Sequence, residues 1–302
     1  MQSLDAENAW VVSANAARRH IPGSLALLIA VAAFSLTLWA ARPIFDFESR
    51  LFGGSVNLTA GDIRLMVSIA YLLPLNGMTF VLAFLLFEWR PWPKAHVGWA
   101  FFGLLAGTVG FLLALAAAYG LGVVRFMSAS PITPQLLAGI GGAGLIIGLR
   151  TFGEELFFRA WLQPLLARSW GVPLGLAATS LLFGLIHVVT RGVPAVVFMN
   201  VTLAGFFFGL LALRTGGLSA PFAAHWAWNA IEQCVFGLVP NPGADPMGTF
   251  YDLDLVGPTL MSGGADGLNG SLGTTAALLV CIAALGFVTR ASADRTSTIE
   301  AH

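Results

Sequence analysis

The sequence predicts an all-α protein, a polytopic membrane helix bundle of about eight transmembrane helices. Composition is the first reason. Of 302 residues, 57% are hydrophobic and only 10% are charged, with a mean hydropathy of +0.81, far above what a soluble domain carries. The second reason is the recurrence of apolar runs long enough to cross about 30 Å of hydrocarbon as helix. The third is a set of ionisable side chains inside those runs, where each costs at least about 2.5–3.5 kcal/mol on insertion scales and therefore requires a partner or a function.

The eight spans run from Leu25 to Ala41, Leu65 to Phe87, Val97 to Leu121, Gln135 to Phe158, Pro173 to Val189, Pro194 to Leu213, Leu218 to Val239 and Thr274 to Val288. The first follows Arg18, Arg19 and His20 and resembles a signal peptide in its flank. Its apolar run is longer than such peptides carry and lacks a cleavage site, so it is read as retained. The fourth stays apolar as far as Leu166, too long for one straight span, and Pro164 marks a break. Trp39, Trp89, Trp92, Trp99 and Trp170 fall near span ends, where an indole sits well between hydrocarbon and headgroups.

With the amino terminus inside, Arg18, Arg19, Arg90, Lys94, Arg168, Arg214, Arg290 and Arg295 are cytoplasmic, against Arg42, Arg50, Arg64, Arg125 and Arg191 on the far side. This excess satisfies the positive-inside rule modestly. The connection from Asn241 to Gly273 contains no Lys or Arg and carries Asp245, Asp252, Asp254 and Asp266, as suits an external loop. The chain thus divides into a cytoplasmic segment 1–24, a single transmembrane domain 25–289 with a catalytic core at about 135–239, and a cytoplasmic tail 290–302. It reads as an integral protein of a bacterial plasma (inner) membrane with both termini cytoplasmic.

Net charge is zero, with 15 basic and 15 acidic residues, which points away from nucleic acid as a partner. Cys234 and Cys281 both sit in apolar runs and offer neither a disulfide framework nor a zinc-type spacing. Gly139-Ile140-Gly141-Gly142-Ala143-Gly144 matches the dinucleotide fingerprint only formally, because it lies inside an apolar span rather than between a strand and a helix. Together with Gly148 it reads as a small-residue seam for close helix packing, one that seats the fourth helix.

Three polar blocks remain. In Glu154-Glu155-Leu156-Phe157-Phe158-Arg159, Glu155 and Arg159 are four residues apart, share a helix face and neutralise each other. Glu154 is rotated about 100° away and is the freer acid, although Arg150 lies one turn before it. Both glutamates holding arginines for structural reasons alone is the competing reading. Phe183-Gly184-Leu185-Ile186-His187 places an imidazole in the fifth span, which taken alone suits an interhelical hydrogen bond. His225-Trp226-Ala227-Trp228-Asn229 stacks an imidazole and a carboxamide on one face of the seventh span. Glu232 follows on nearly the same stripe, to orient these donors or to pair with an arginine. Asn200 in the sixth span reads as an interhelical hydrogen bond or a substrate contact.

Glu154, His187, His225 and Asn229 together supply what peptide hydrolysis needs. A carboxylate and an imidazole activate water, and two donors receive the oxyanion. Span boundaries alone leave a tension, because they set Glu154 and His225 toward the cytoplasmic side and His187 toward the far side. An error of four residues, about 6 Å of helix rise, removes it.

In this order and on separate spans, the blocks resemble the signature of the CAAX-protease and bacteriocin-processing (CPBP) family of intramembrane proteases, Glu-Glu-x-x-x-Arg, Phe-x-x-x-His and His-x-x-x-Asn, over roughly Arg150 to Val239. The resemblance implies a type II CAAX endopeptidase-like glutamic intramembrane protease with an eight-helix core. It implies that Glu154 and His187 activate water, that His225 and Asn229 stabilise the oxyanion, and that Glu155 and Arg159 give structural support. The partners implied are the lipid bilayer and a peptide or lipidated protein substrate, with no cofactor. Two alternatives stand beside it. Two histidines and a glutamate are also a zinc ligand set, and midplane polar residues also suit a transporter or a non-proteolytic scaffold.

Overall fold

The computed structural model describes residues 22–53, 96–191, 194–239, 241–243 and 245–299, and residues 66, 69, 70, 74, 76 and 77 of the second apolar run. The N-terminal segment before residue 22 and most of the second expected span lie outside the described residues. In chain order the elements are α1 (Gly23–Gly53), α2 (Val97–Gly120), β1 (Val124–Ala129), α3 (Pro134–Glu155), a π-helical segment (Leu156–Leu162), α4 (Gln163–Trp170), α5 (Val172–Arg191), α6 (Ala195–Thr215), α7 (Ser219–Ala230), a second π-helical segment (Ile231–Val235), β2 (Tyr251–Leu255), α8 (Thr259–Ser262), a 3-10 segment (Gly264–Gly270) and α9 (Leu272–Ile299).

The protein is a membrane helix bundle. Among the described residues, four helical stretches are long and apolar enough to cross a bilayer: Val97–Gly120, Pro134–Trp170, Ala195–Thr215 and Gly264–Gly286. Two shorter apolar helices, Gly23–Thr37 and Val172–Val188, correspond to the first and fifth expected spans. The seventh departs from expectation. Its helix stops at Val235 instead of running to Val239, giving 12 α-helical and 5 π-helical residues, about 25 Å at most and short of a full crossing. Gly237 explains the early stop: its φ is +61°, and a Cβ there would lie 2.7 Å from the carbonyl oxygen of Tyr251. The chain turns sharply at a residue without a side chain.

The region between Asn241 and Gly273 is not a plain loop. β2 pairs antiparallel with β1, Val124 opposite Leu255 and Arg125 opposite Asp254, with an irregularity between Phe126 and Ser128. Asn241 ties this cap together. Its Nδ2 donates to Leu255 O and Gly264 O, and its Oδ1 accepts from Leu255 N. The hydrophobic pattern of β1 gave no warning of a strand, because five of its six residues are exposed.

α2 and α7 touch backbone to backbone. A Cβ on Gly103 would lie 2.2 Å from Ala220 O, and one on Gly107 would lie 2.2 Å from Ala224 O. These four positions form facing small-xxx-small stripes, the sequence device that lets membrane helices approach closely. The seam expected on the fourth span packs differently. Gly139 abuts the Met247 carbonyl, Gly148 meets Trp226, and a Cβ on Gly144 would meet nothing within 4 Å among the described residues. The close helix contact comes from the third span, not the fourth.

Candidate active site

α3 is well begun and unusually ended. Thr133 caps it, its hydroxyl accepting from Leu136 N at 3.1 Å, and Pro134 occupies the first turn, where a missing N–H costs nothing. Its last two residues are Glu154 and Glu155. A Cβ on Gly153, just before them, would lie 2.7 Å from Oδ1 of Asn76, so glycine lets a polar residue of the second apolar run reach the helix backbone beside the carboxylates.

After Glu155 the helix widens instead of breaking. Gln163 N bonds to Phe158 O, five residues back, and Pro164 has no N–H to give to Ala160. The irregularity expected at Pro164 therefore lies in the turns before it, as a π segment, while the chain stays helical to Trp170. The second π segment follows Asn229 in the same way, closing with Phe236 N bonded to Ile231 O. Such segments re-aim the side chains beside them and are frequent at functional sites.

Glu155 and Arg159 are both fully buried and pair as their spacing predicts, Oε1 to Nη1 at 3.2 Å. Arg159 Nη2 also donates to Gly205 O at 3.0 Å. Its guanidinium lies 4.6 Å from the ring centre of Phe183, 5.6 Å from Phe158 and 5.7 Å from Phe208, a favourable cation–π setting in a desolvated site. Phe183 opens the Phe-x-x-x-His block. Its ring also meets His187 at 5.0 Å and His225 at 6.0 Å, so one aromatic touches all three basic groups of the signature.

Glu155 has a further partner. The same Oε1 lies 2.9 Å from Nδ1 of His225. Glu154 approaches the other ring nitrogen, its Oε2 3.9 Å from Nε2, within ion-pair range though beyond a direct hydrogen bond. The two adjacent carboxylates thus converge on opposite nitrogens of one imidazole, which the 100° separation on a regular helix did not anticipate. Arg150 is not the group that holds Glu154: among the described residues they form no ion pair within 4.0 Å. Phe208 stacks flat on the His225 ring, 4.5 Å away at 17°, and fixes its plane.

His187 Nδ1 lies 2.8 Å from Phe183 O. A carbonyl only accepts, so Nδ1 carries the proton and, in the neutral ring, Nε2 keeps a lone pair. That is the form able to take a proton from water. Glu154, His187, His225 and Asn229 all line one cleft with a cavity volume of about 210 Å³. The depth conflict drawn from span boundaries disappears, since residues from α3, α5 and α7 meet in one space.

The cleft continues past the four residues. Glu232, 1% exposed, is held through both carboxylate oxygens by Asn269 Nδ2 at 3.0 and 3.1 Å, not by the histidine or the arginine expected. Asn200 donates to Asn269 O and Ser271 O and accepts from Thr275 Oγ1, the interhelical role expected of it, and it lines the cleft as well. Arg150 and Asp266 complete the charged lining. Sequence reading missed Asn76, Phe208 and Asn269. The last lies in a segment without periodicity, and only its lone carboxamide among glycines marks it.

Residues 133–231 match the family model described as type II CAAX prenyl endopeptidase Rce1-like. No curated protein and no solved structure matches the chain.

Proposed function

We propose that this chain, whose residues 133–231 match the type II CAAX prenyl endopeptidase Rce1-like model, is a glutamic intramembrane endopeptidase acting on a membrane-associated or lipidated peptide or protein. The observation that carries the reading is the gathering of Glu154, His187, His225 and Asn229 around one cleft inside an apolar bundle.

Water held between Glu154 and His187 loses a proton to this pair as its oxygen attacks the scissile carbonyl. Asn229 Nδ2 and His225 Nε2 donate to the oxyanion, in an apolar setting where each such donor is worth roughly 3–4 kcal/mol. His225 takes this role under one condition. Its Nδ1 proton already faces Glu155, so donation from Nε2 requires a second proton on the ring. Collapse of the intermediate breaks the C–N bond, and the proton taken from water passes to the leaving amine.

The proposed chemistry runs without a metal, and a zinc ion held by the same histidines and glutamate is the alternative. The excess of basic residues on the side assigned to the cytoplasm supports cytoplasmic termini, and a bacterial inner membrane remains the proposed location, with a catalytic core at about 135–239 within one transmembrane domain.

The test is cleavage of lipidated peptides by the purified protein in lipid vesicles, with and without chelator. Glu154→Gln, His187→Ala and His225→Ala are expected to abolish cleavage while leaving expression and helix content intact. Cleavage retained by Glu154→Gln would overturn the mechanism, and activity lost on chelation and restored by zinc would replace it with metal catalysis.

A further inference from the structure

The cap built from β1 and β2 carries apolar side chains on its outside. Phe126 is 60% exposed, Met127 50% and Tyr251 45%, and Leu121 and Ile132 at the two ends of the α2–α3 connection are exposed as well. Arg125 is the only charged residue from position 121 to position 133. Scattered exposed apolar residues are ordinary, but a contiguous group marks a surface that something covers.

The register sorts the ribbon into two faces. Residues opposite each other on antiparallel strands share a face, so Val124, Phe126 and Ala129 lie with Leu255, Leu253 and Tyr251, while Arg125 and Ser128 lie with Asp254 and Asp252. One face is apolar and the other polar. Leu253 and Leu255 are buried in the core of the bundle, whereas Phe126 and Tyr251 on the same face overhang it.

Two constraints bracket the depth of the ribbon. α7 and its π segment end about 25 Å from their start, roughly 5 Å short of the hydrocarbon thickness. The chain leading into β2 is bonded to that end, Phe250 N to Cys234 O at 3.0 Å and Leu253 N to Phe236 O at 3.1 Å, so the ribbon begins within the depth of a full span. It goes no deeper than the headgroups. Among the described residues the sheet has two strands, and the outer edge of β1 carries backbone groups that hydrocarbon cannot satisfy.

We propose that the β1–β2 ribbon lies in the headgroup layer of the bilayer, its apolar overhang seated on lipid and the face of Arg125 and Asp254 turned to water. Lipid is the occupant because the patch continues the lipid-facing surface of the bundle. The exposed residues Leu112, Leu113 and Tyr119 of α2 lead to Leu121 and Phe126, and Ile132 leads on to Leu137 of α3. Tyr251 is an aromatic of the kind that settles at that level. This placement holds whether or not the cleft hydrolyses peptides.

The experiment uses the full wild-type chain in phosphatidylcholine vesicles doped with either of two photoactivatable phosphatidylcholines, one with a diazirine beside the glycerol and one with it at the end of an acyl chain. Adducts are mapped by peptide mass spectrometry. The shallow probe is expected to mark the peptide that holds Phe126 and Met127. The deep probe is expected to mark α2 around Leu112 and to leave the ribbon clean. A ribbon unmarked by the shallow probe would put it in water, and a ribbon marked by the deep probe as strongly as α2 would put it in hydrocarbon; either result overturns the proposal. Nitroxides at Phe126→Cys and Met127→Cys, in a chain carrying Cys234→Ala and Cys281→Ala, give an independent reading. They are expected to collide more with oxygen than with a water-soluble nickel chelate, at a depth of about 5–10 Å, the range for interfacial elements. Labels as open to the chelate as in free solution, or shielded from both reagents by a protein partner, would equally overturn it.

Discussion

Glu155 Oε1 lies 2.9 Å from Nδ1 of His225, seventy residues later in the chain, while the same oxygen holds Arg159 at 3.2 Å. The second glutamate of the signature is therefore a junction rather than a simple counter-ion. It joins the end of α3, the buried guanidinium and the ring on α7, and it determines which nitrogen of that ring faces the cleft.

Removing this junction has two separable consequences. Glu155→Ala leaves a fully buried arginine without its carboxylate, which costs about 3–5 kcal/mol in comparable buried pairs. Glu155→Gln keeps the volume and one acceptor oxygen, so the expected stability loss is smaller while His225 loses the carboxylate facing its Nδ1. Thermal unfolding in detergent, set beside peptide cleavage, separates the two. Glu155→Gln is expected to lower the unfolding temperature less than Glu155→Ala does while reducing kcat at least as sharply, and wild-type kcat in that variant would deny the junction its role.

Phe183 contacts Arg159, His187 and His225 together. Phe183→Leu retains most of the apolar volume but removes the ring face, a loss of about 0.5–2 kcal/mol of cation–π and aromatic contact. Phe183→Ala adds a cavity and is expected to cost about 3–5 kcal/mol. Both variants are expected to lose activity beyond what their stability explains, because two histidines lose a common wall. An activity loss that tracks the fraction folded would instead make Phe183 ordinary core.

The signature residues were legible because their chemistry contradicts an apolar surround. Glu154, Arg159, His187 and His225 stand out in a membrane sequence as they would not in a soluble one. Helical spacing also gave the Glu155–Arg159 pair correctly. It misled on Glu154, because two carboxylates about 100° apart on a helix still reach opposite nitrogens of a ring that the α7 helix sets between them. Asn269 and the β1–β2 pairing were illegible for another reason. Each depends on contacts between segments more than thirty residues apart, with no local pattern to announce them.

Asp252 gives the cap a pH dependence. Burial and the adjacent Asp254 hold its carboxyl above the usual carboxylate range, and its Oδ1 is buried without a hydrogen-bond partner among the described residues. An acid whose pKa is raised in the folded state contributes stability while protonated, and that contribution is lost as pH rises through the folded value. The β1–β2 pairing is therefore expected to be more protected below the unfolded-state pKa of about 3.9 than at neutral pH. Asp252→Asn is expected to increase protection of the β2 amides at pH 7 and to change little at pH 4, as read by hydrogen exchange corrected for intrinsic rates. Equal effects at both pH values would show that ionisation of Asp252 is not the cause.

One constraint on the site lies outside it. Gly107 sits where a Cβ would fall 2.2 Å from Ala224 O, one residue before His225. Backbone cannot yield as a flexible side chain does, so Gly107→Ala must push α2 and α7 apart, at an overpacking cost of about 1–3 kcal/mol. The displacement is delivered to His225 and Asn229, the proposed oxyanion donors, and in that role a misplacement of about 1 Å can cost a hundredfold in rate. Gly144→Ala is the control, because a Cβ there meets nothing within 4 Å among the described residues and alanine favours helix by about 1 kcal/mol. Gly107→Ala is expected to lose most of its kcat at modest cost in unfolding temperature, and Gly144→Ala to lose neither. Full activity in Gly107→Ala would mean that the α2–α7 contact does not position His225 and Asn229 for the proposed step.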